Sequence, residues 1–197
     1  GLKKIVIITR THGQPAVPST LGKELCVFID RISKELKELK DFVVSTKFGG
    51  AVGNLNAHYC AYPQHDWIKF ATNFVASFDM ERQKCTTQID QYDNASKLFN
   101  IYSRINVILK DFCVDIWLYI SMNYLSQKIV NSETGSSTMP HKVNPINFEN
   151  AEGNLGLANA LFGFFSEKLP QSRLQRDLTD STVIRNVGMA FGYTLVA

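Results

Sequence analysis

The sequence is organised around one polar stretch, Thr134-Gly-Ser-Ser-Thr-Met-Pro-His-Lys-Val-Asn-Pro-Ile146, which separates two long helical patterns. Gly135 frees the backbone, while Pro140 and Pro145 prevent a continuous helix through the stretch. Loops of this length are usually functional or disordered, because compact domains rarely need such a long connection. A plain connector remains the alternative. One long helix must therefore end before this stretch, and another must begin after it.

The composition is that of one globular domain. Of the 197 residues, 45% are hydrophobic and 20% are charged, which is enough apolar mass for a core. The net charge of +3 is spread along the chain, so it favours nucleic acid only weakly and suits a phosphorylated small molecule as well. No stretch approaches the roughly 20 apolar residues of a membrane span. The chain starts at Gly1 without a Met and stops inside an apolar run, so we expect a piece of a longer protein.

The cysteines and histidines give no sign of a metal site. No Cys-x-x-Cys pair occurs, and the four histidines lie far apart. The cysteines are Cys26, Cys60, Cys85 and Cys113. Reduced cysteines that pack inside a cytoplasmic protein are the simpler interpretation. Glycine-rich nucleotide-binding motifs do not occur either, so we expect chemistry by ordinary side chains, with no metal and no cofactor.

Hydrophobic periodicity predicts an all-α fold built from long helices. Ser19 or Thr20 is predicted to cap the first helix, whose apolar stripe runs from Leu21 to Val43. Asp66 is predicted to open the next helix, through residue 78. Further helices are predicted over residues 94–122 and 147–168, and from about residue 179 or 181 to the end. The buried face of the 147–168 helix is predicted to carry Leu155, Ala158, Phe162, Phe165 and Leu169.

The longest predicted helix, residues 94–122, is apolar nearly all round. One stripe has the 3.5-residue repeat of a coiled-coil seam: Leu98, Tyr102, Ile105, Leu109, Phe112, Ile116 and Tyr119. Val107, Val114 and Trp117 add apolar surface on other faces. Such a helix must be buried on several sides, and a single small domain offers few places to do so. We therefore predict that this helix packs against partner subunits.

Polar turns near the N-terminal half are candidate ligand sites. A short extended run over residues 4–9 leads into a turn at Gly13 and Pro15, with His12 at its head. A satisfied loop or core histidine is the simpler alternative for His12. Residues 49–64 are small and polar, so their backbone amides could hold an anion, although a plain connection between helices is as good an interpretation. Residues 86–90 form another polar turn.

Three arginines lie close to the predicted start of the last helix. Arg173, Arg176 and Arg185 lie within thirteen residues that also hold two aspartates. Arginines beside a helix start could clamp a carboxylate or a phosphate. An internal ion-pair network is the alternative, and spacing alone does not separate the two.

Residues 134–145 resemble the signature loop of the fumarase/aspartase superfamily, whose lyases eliminate fumarate from succinyl-type substrates. Within it, Thr9-Arg-Thr-His-Gly-Gln-Pro-Ala16 and Gln175-Arg-Asp-Leu-Thr-Asp-Ser-Thr-Val-Ile-Arg185 resemble the adenylosuccinate lyase family. Gly50-Ala-Val-Gly-Asn54 and Thr86-Thr-Gln-Ile89 fit the same family. The resemblance covers nearly the whole chain. It implies that residues 1–197 are the central helical domain, without the N-terminal and C-terminal domains, and that this long-helix bundle contributes to a tetrameric central helical bundle.

The resemblance also assigns roles by motif position. It implies that His12 is the general acid and Ser136 the general base, with Lys142 and the backbone amides of residues 135–137 activating the serine. Substrate contacts are implied for seven residues: Gln88, Ser137, Lys142, Asn144, Arg176, Ser181 and Arg185. The implied substrates are adenylosuccinate, split into AMP and fumarate, and the related succinylaminoimidazole carboxamide ribotide of purine biosynthesis. No nucleic acid or membrane partner is implied.

The large separation of His12 and Ser136 in the sequence is explained in this superfamily by a homotetramer, in which three subunits contribute to each site. We therefore expect the isolated chain to be inactive. Two alternatives stay open: argininosuccinate lyase or fumarase chemistry of the same superfamily, and a non-catalytic structural relative like the lens crystallins. The intact His12, Ser136 and Lys142 weigh against the second alternative.

Overall fold

The computed structural model describes residues 1–128, 139 and 141–197, and within them helices dominate. The predicted helical class is therefore confirmed. In chain order the elements are a 3₁₀ turn at Leu2–Lys4, β1 (Val6–Thr11), β2 (Gln14–Thr20), α1 (Leu21–Lys40), β3 (Ser45–Thr46), α2 (Asn56–Ala61), α3 (Trp67–Ala76), β4 (Glu81–Arg82), α4 (Asp93–Ser121), α5 (Ile146–Lys168), α6 (Thr179–Ile184) and α7 (Val187–Val196).

The core lies where α4, α5 and α7 meet. The predicted inner face of α5 is confirmed, because Leu155, Ala158, Phe162, Phe165 and Leu169 are all buried. Phe99 from α4 and Ala190 from α7 complete the cluster. Phe99 and Phe162 stack with ring centroids 5.8 Å apart. The helix period puts these aromatic residues on facing stripes, so the two long helices bury them together.

Polar contacts fix how α4 and α5 align. Trp117 Nε1 donates to Glu149 Oε1 at 2.9 Å, and Asn159 Nδ2 donates to the Ser103 carbonyl at 3.1 Å. The Ser96 hydroxyl donates to the Ser166 carbonyl at 3.1 Å. These bonds lie at successive levels of the helix pair, so they hold its register over most of its length.

The outer face of α4 is left largely uncovered by the described elements, with α1 reaching only the edge of it near Val107. Val107 is 47% exposed, and Val114 and Leu118 are 36% and 42% exposed. They recur at helical spacing, so they form one apolar stripe opposite the buried face. On α5, Leu157 and Phe164 are also exposed by about half. The all-round apolar character of the predicted helix is thus confirmed, while its packing against partner subunits stays a prediction.

Helix α1 begins where the sequence predicts and ends earlier. The Thr20 hydroxyl accepts a hydrogen bond from the Lys23 amide, which confirms the predicted cap. The helix ends at Lys40, so Val43, the last residue of the predicted apolar stripe, lies beyond it. Arg104 of α4 ties α1 in place by binding Glu35 at 2.7 Å and Glu38 at 2.5 Å.

The N-terminal segment is a complete β-hairpin and not merely a turn after a short extended run. β1 and β2 pair antiparallel, with Val6 opposite Thr20 and Thr11 opposite Gln14. Pro15 and Pro18 lie in β2, and proline weakens any strand prediction because it lacks a backbone donor. A two-stranded ribbon tolerates both prolines, since each strand has an open edge.

Two further helices differ from the predictions. Residues 49–64 contain the short helix α2, which the small polar composition hid. The single last helix predicted from residue 179 or 181 is two helices, α6 and α7, with Arg185 and Asn186 between them. Neither Thr179 nor Ser181 caps it, because α6 begins at Thr179 after Leu178.

In the part of the chain described, no helix has both the length and the apolar character that crossing a membrane requires.

Candidate active site

Two loops that are distant in sequence meet at Gln88. The Gln88 backbone amide donates to the carbonyl of Gln175 at 3.2 Å. Gln88 precedes α4, whereas Gln175 directly precedes Arg176 in the connection from α5 to α6. The bond therefore places two of the predicted substrate-binding residues, Gln88 and Arg176, side by side.

A third loop packs directly against the turn that carries Gln88. Gly53 has φ +87°, and a Cβ atom at this position would lie 2.0 Å from the Thr86 carbonyl oxygen. Only glycine permits such an approach in this backbone conformation. The glycine-rich segment of residues 49–54 therefore acts here as a close-packed support for the turn that carries Gln88, although the sequence left an anion site open.

A hydrogen-bonded network holds the other end of this turn. Asp90 Oδ1 accepts from the Gln83 side chain and from the Tyr92 amide, both at 2.8 Å. Tyr92 has φ 61°, a left-handed conformation that is uncommon for residues other than glycine. Its hydroxyl donates to Asp180 Oδ2 at 2.9 Å. Burial first, and next the hydrogen bond to Asp180, raise the pKa of Tyr92 to about 12.

Asp177 organises the start of α6. Its carboxylate accepts from the amide and the hydroxyl of Thr179 and from the amide of Arg173. These hydrogen bonds, those from Thr179 foremost, hold the pKa of Asp177 well below its ordinary value. Asp177, and not Thr179 or Ser181, therefore supplies the side-chain hydrogen-bond acceptor at the start of α6.

The arginines of this segment show features of both an internal ion-pair network and an anion clamp. Arg173 lies 3.4 Å from Asp177 and Arg176 Nη2 lies 4.0 Å from Asp180 Oδ1, so both have acidic neighbours. Arg185 ends α6, is exposed, and forms no ion pair with any described residue. The Arg176 side chain is 35% exposed. Arg176 and Arg185 thus keep donors available for an anion.

Lys142 and Asn144 lead into α5 from the signature stretch. Lys142 is exposed, and its amide donates to the Met139 carbonyl at 3.4 Å. Gln127, just after α4, donates to the carbonyl of Val143 at 3.1 Å. Ser136 and Ser137, the predicted base and its neighbour, lie outside the described residues.

His12 stands apart from these groups. It forms the hairpin turn together with Gly13, with φ values of 51° and 73°. The side chain is exposed and forms no hydrogen bond or ring contact with any described residue. The alternative of a buried core histidine is therefore wrong, whereas an exposed loop histidine is what the structure shows. No contact with the described residues joins His12 to Gln88 or Arg176 within one chain.

Sequence reasoning missed Tyr92 and Asp180. Asp180 lies inside the quoted stretch of residues 175–185, and a carboxylate so close to arginines was a usable signal. Nothing in the sequence shows that the Tyr92 hydroxyl is its partner, because the two residues meet only when α4 and the α5–α6 connection pack.

Two family models match the chain. A model described as lyase matches residues 2–160, which is most of the chain. A model described as adenylosuccinate lyase C-terminal matches residues 172–197.

Relatives named adenylosuccinate lyase match almost the whole chain. The one from Dictyostelium discoideum is 56% identical, over 99% of this chain and 42% of its own length. The one from Legionella pneumophila (strain Corby) is 55% identical, over 98% of this chain and 42% of its own length. The one from Escherichia coli (strain K12) is 51% identical, over 99% and 43%. The chain therefore spans less than half the length of these relatives.

Proposed function

Because this chain belongs to the lyase family, we propose that it is part of an enzyme that eliminates fumarate from adenylosuccinate and leaves AMP. The observation that carries the proposal is the match of at least 98% of the chain to proteins named adenylosuccinate lyase, at 51% identity or more. Succinylaminoimidazole carboxamide ribotide is a second proposed substrate, since it carries the same succinyl group on nitrogen.

The elimination needs a base, an acid and positive groups. The base takes a proton from the carbon beside a carboxylate, and the electrons of that C–H bond form the double bond of fumarate. The C–N bond breaks, and its electrons stay on the nitrogen, which an acid protonates. Charge that builds on the neighbouring carboxylate must be held by fixed hydrogen-bond donors and cations.

His12 is the proposed acid. Its position at an exposed hairpin tip, without a hydrogen-bond partner among the described residues, leaves both ring nitrogens free for a substrate. An imidazole is a suitable proton donor in neutral solution. The resemblance of residues 9–16 to the family motif supports the same role.

Ser136 is the proposed base. A serine hydroxyl is too weak an acid to act alone, so it needs a nearby cation and backbone amides to stabilise its deprotonated form. Lys142, exposed at the start of the α5 approach, is the proposed cation. Ser137 and Asn144 are proposed to bind the substrate beside it.

Gln88, Arg176, Ser181 and Arg185 are the proposed anion-binding group. The hydrogen bond from Gln88 to Gln175 supports the proposal, since it brings Gln88 next to Arg176. Ser181 lies on α6, and Arg185 directly follows the last residue of that helix. Guanidinium groups suit the carboxylates of the succinyl group and the nucleotide phosphate.

A homotetramer with shared sites is the proposed assembly. The exposed apolar stripe of Val107, Val114 and Leu118 on α4 supports it, as do Leu157 and Phe164 on α5. Apolar stripes of this kind on long helices mark protein–protein contacts. In such an assembly, His12 of one subunit would enter a site whose other groups belong to neighbouring subunits. Residues 1–197 are then the central helical domain of the assembly.

The proposed location is the cytoplasm. Cys26, Cys60, Cys85 and Cys113 are all free, and three of them are exposed. Exposed free thiols persist in a reducing compartment.

Substrate turnover tests the proposal. The full-length enzyme is given adenylosuccinate, argininosuccinate and malate separately, and fumarate is followed by its absorbance. Fumarate from adenylosuccinate, accompanied by stoichiometric AMP, supports the proposal. Release from argininosuccinate or malate alone assigns the enzyme to another branch, and release from none of the three contradicts a catalytic role. The isolated 197-residue chain should release none.

A further inference from the structure

We propose that Tyr92 and Asp180 are positioning residues, which act together to hold Arg176 in the orientation that binds the substrate anion. The inference rests on the proposed function, because it assumes that Arg176 contacts the substrate. Neither Tyr92 nor Asp180 is itself proposed to touch it.

Asp180 is a carboxylate in an unusual place. Its side chain is almost fully buried, with a relative exposure of 5% for the residue. Buried carboxylates need partners, because losing their hydration is unfavourable unless hydrogen bonds or opposite charges replace it. Oδ2 has such a partner in the Tyr92 hydroxyl, at 2.9 Å. Oδ1 is buried and accepts no hydrogen bond from the described residues.

Arg176 is the neighbour of that unsatisfied oxygen. Its Nη2 lies 4.0 Å from Asp180 Oδ1, which is too long for a hydrogen bond but close enough for strong attraction. The attraction orients the guanidinium without using its donors. The donors of Arg176 therefore stay available for a ligand, and the side chain is 35% exposed.

Tyr92 is held both at its backbone amide and at its side-chain hydroxyl, as a positioning residue must be. Its backbone occupies the left-handed region, and its amide is held by Asp90 at 2.8 Å. Residues in sparsely populated backbone conformations persist only where their surroundings hold them, and they cluster at functional sites. The raised pKa of Tyr92 keeps its hydroxyl protonated, and hence a donor to Asp180, into the alkaline range where an ordinary tyrosine ionises.

The pair also lies at the point where the proposed anion-binding residues converge. Asp180 directly precedes Ser181 on α6, and Arg176 follows Gln175, which accepts the Gln88 amide. A single hydrogen bond from Tyr92 to Asp180 thus joins the start of α4 to the segment that carries Arg176, Ser181 and Arg185.

The test uses Tyr92→Phe in the full-length enzyme, which removes one hydroxyl and leaves the ring. Loss of one hydrogen bond to a charged group should raise KM for adenylosuccinate about tenfold. We expect kcat to fall by less than about threefold, because the proton-transfer groups are untouched. Asp180→Asn should raise KM at least as much. The matched control is Tyr102→Phe, since Tyr102 packs against Phe162 and Phe191 and donates no hydrogen bond within the described residues.

A double-mutant cycle separates positioning from general loss of structure. If Tyr92 acts through Arg176, Tyr92→Phe should change KM by less than about twofold in an Arg176→Lys background, where the guanidinium fork is gone. An equal rise in KM in both backgrounds, or an unchanged KM for Tyr92→Phe in an enzyme that turns over adenylosuccinate, would overturn the positioning role alone. A parent enzyme inactive on adenylosuccinate would overturn the proposed function and this inference with it.

Discussion

The amide of Gln88 and the carbonyl of Gln175 are joined by a hydrogen bond of 3.2 Å across two loops that are otherwise far apart in the chain. Neither atom belongs to a helix or a strand, so the bond is not a by-product of regular structure. It sets the distance between the turn before α4 and the segment that carries the arginines. Two of the predicted substrate-binding residues, Gln88 and Arg176, therefore lie on neighbouring backbone segments of a single chain.

The hairpin tip can be tested without disturbing its backbone. His12 has φ 51°, and asparagine tolerates this conformation better than most residues. His12→Asn in the full-length enzyme should therefore fold normally but reduce turnover about 100-fold or more, because it removes a proton-transfer group. Steady-state kinetics and the midpoint of thermal unfolding measure the two effects. Near-normal turnover by a folded His12→Asn enzyme would exclude the acid role.

Gly53 should be intolerant of any side chain. An added Cβ would meet the Thr86 carbonyl at 2.0 Å, in a backbone conformation with φ +87°. Gly53→Ala should lower the free energy of unfolding by at least about 2 kcal/mol and weaken substrate binding, since the turn that carries Gln88 must move. Gly192→Ala is the control, because nothing lies within 4 Å of a Cβ there. Equal stability of the two variants in urea unfolding would show that the loops do not pack as described.

The raised pKa of Tyr92 predicts that the free energy of unfolding falls as the pH rises above about 10. Its pKa is raised from the ordinary 10 to about 12, so the folded state holds the phenolic proton more tightly than the unfolded chain. This stabilising contribution is complete below about pH 10 and is lost as the pH rises towards 12. Urea unfolding at pH 9, 10 and 11 should therefore show a shallower loss of stability for Tyr92→Phe than for the parent. Tyr102→Phe should keep the parent slope, and a Tyr92→Phe slope equal to the parent's would argue against the buried bond.

The exposed stripe of α4 predicts an assembly. Val107 is 47% exposed on a helix whose opposite face is packed. A charge placed there should prevent subunits from burying the stripe, so Val107→Glu should shift a tetramer to smaller species with little change in helix content. Sedimentation velocity and far-ultraviolet circular dichroism measure these two properties. Lys37→Glu, on the exposed face of α1, is the control and should stay tetrameric; an unaltered tetramer for Val107→Glu would place the interface elsewhere.

Much of the helical scaffold was predictable from local patterns. The caps at Thr20 and Asp66 follow from side-chain oxygens placed before apolar runs, and both are observed. The inner face of α5 follows from the helical period, because Phe162 and Phe165 fall on one stripe. Local signals are sufficient here because a helix satisfies its own backbone.

The hairpin and the Tyr92–Asp180 pair were not predictable in the same way. A strand needs a partner strand, and Pro15 and Pro18 removed the usual pattern from β2. The partner of Asp180 is set by how α4 packs against the α5–α6 connection, and the sequence contains no local sign of that contact. The site residues were found by resemblance to a family motif, since spacing alone left the arginines open to either interpretation.

We propose that His12 and Ser136 from different subunits complete one active site, and mixing two inactive variants tests this arrangement. His12→Ala and Ser136→Ala should each reduce turnover of the full-length enzyme about 100-fold or more, because each removes a proton-transfer group. Subunits of the two variants are dissociated, mixed and reassembled, and fumarate release is measured. Hybrid tetramers should regain a substantial fraction of parent activity, because some sites receive an intact histidine and an intact serine from different subunits. Hybrid tetramers that form but remain as inactive as either variant alone would contradict the claim.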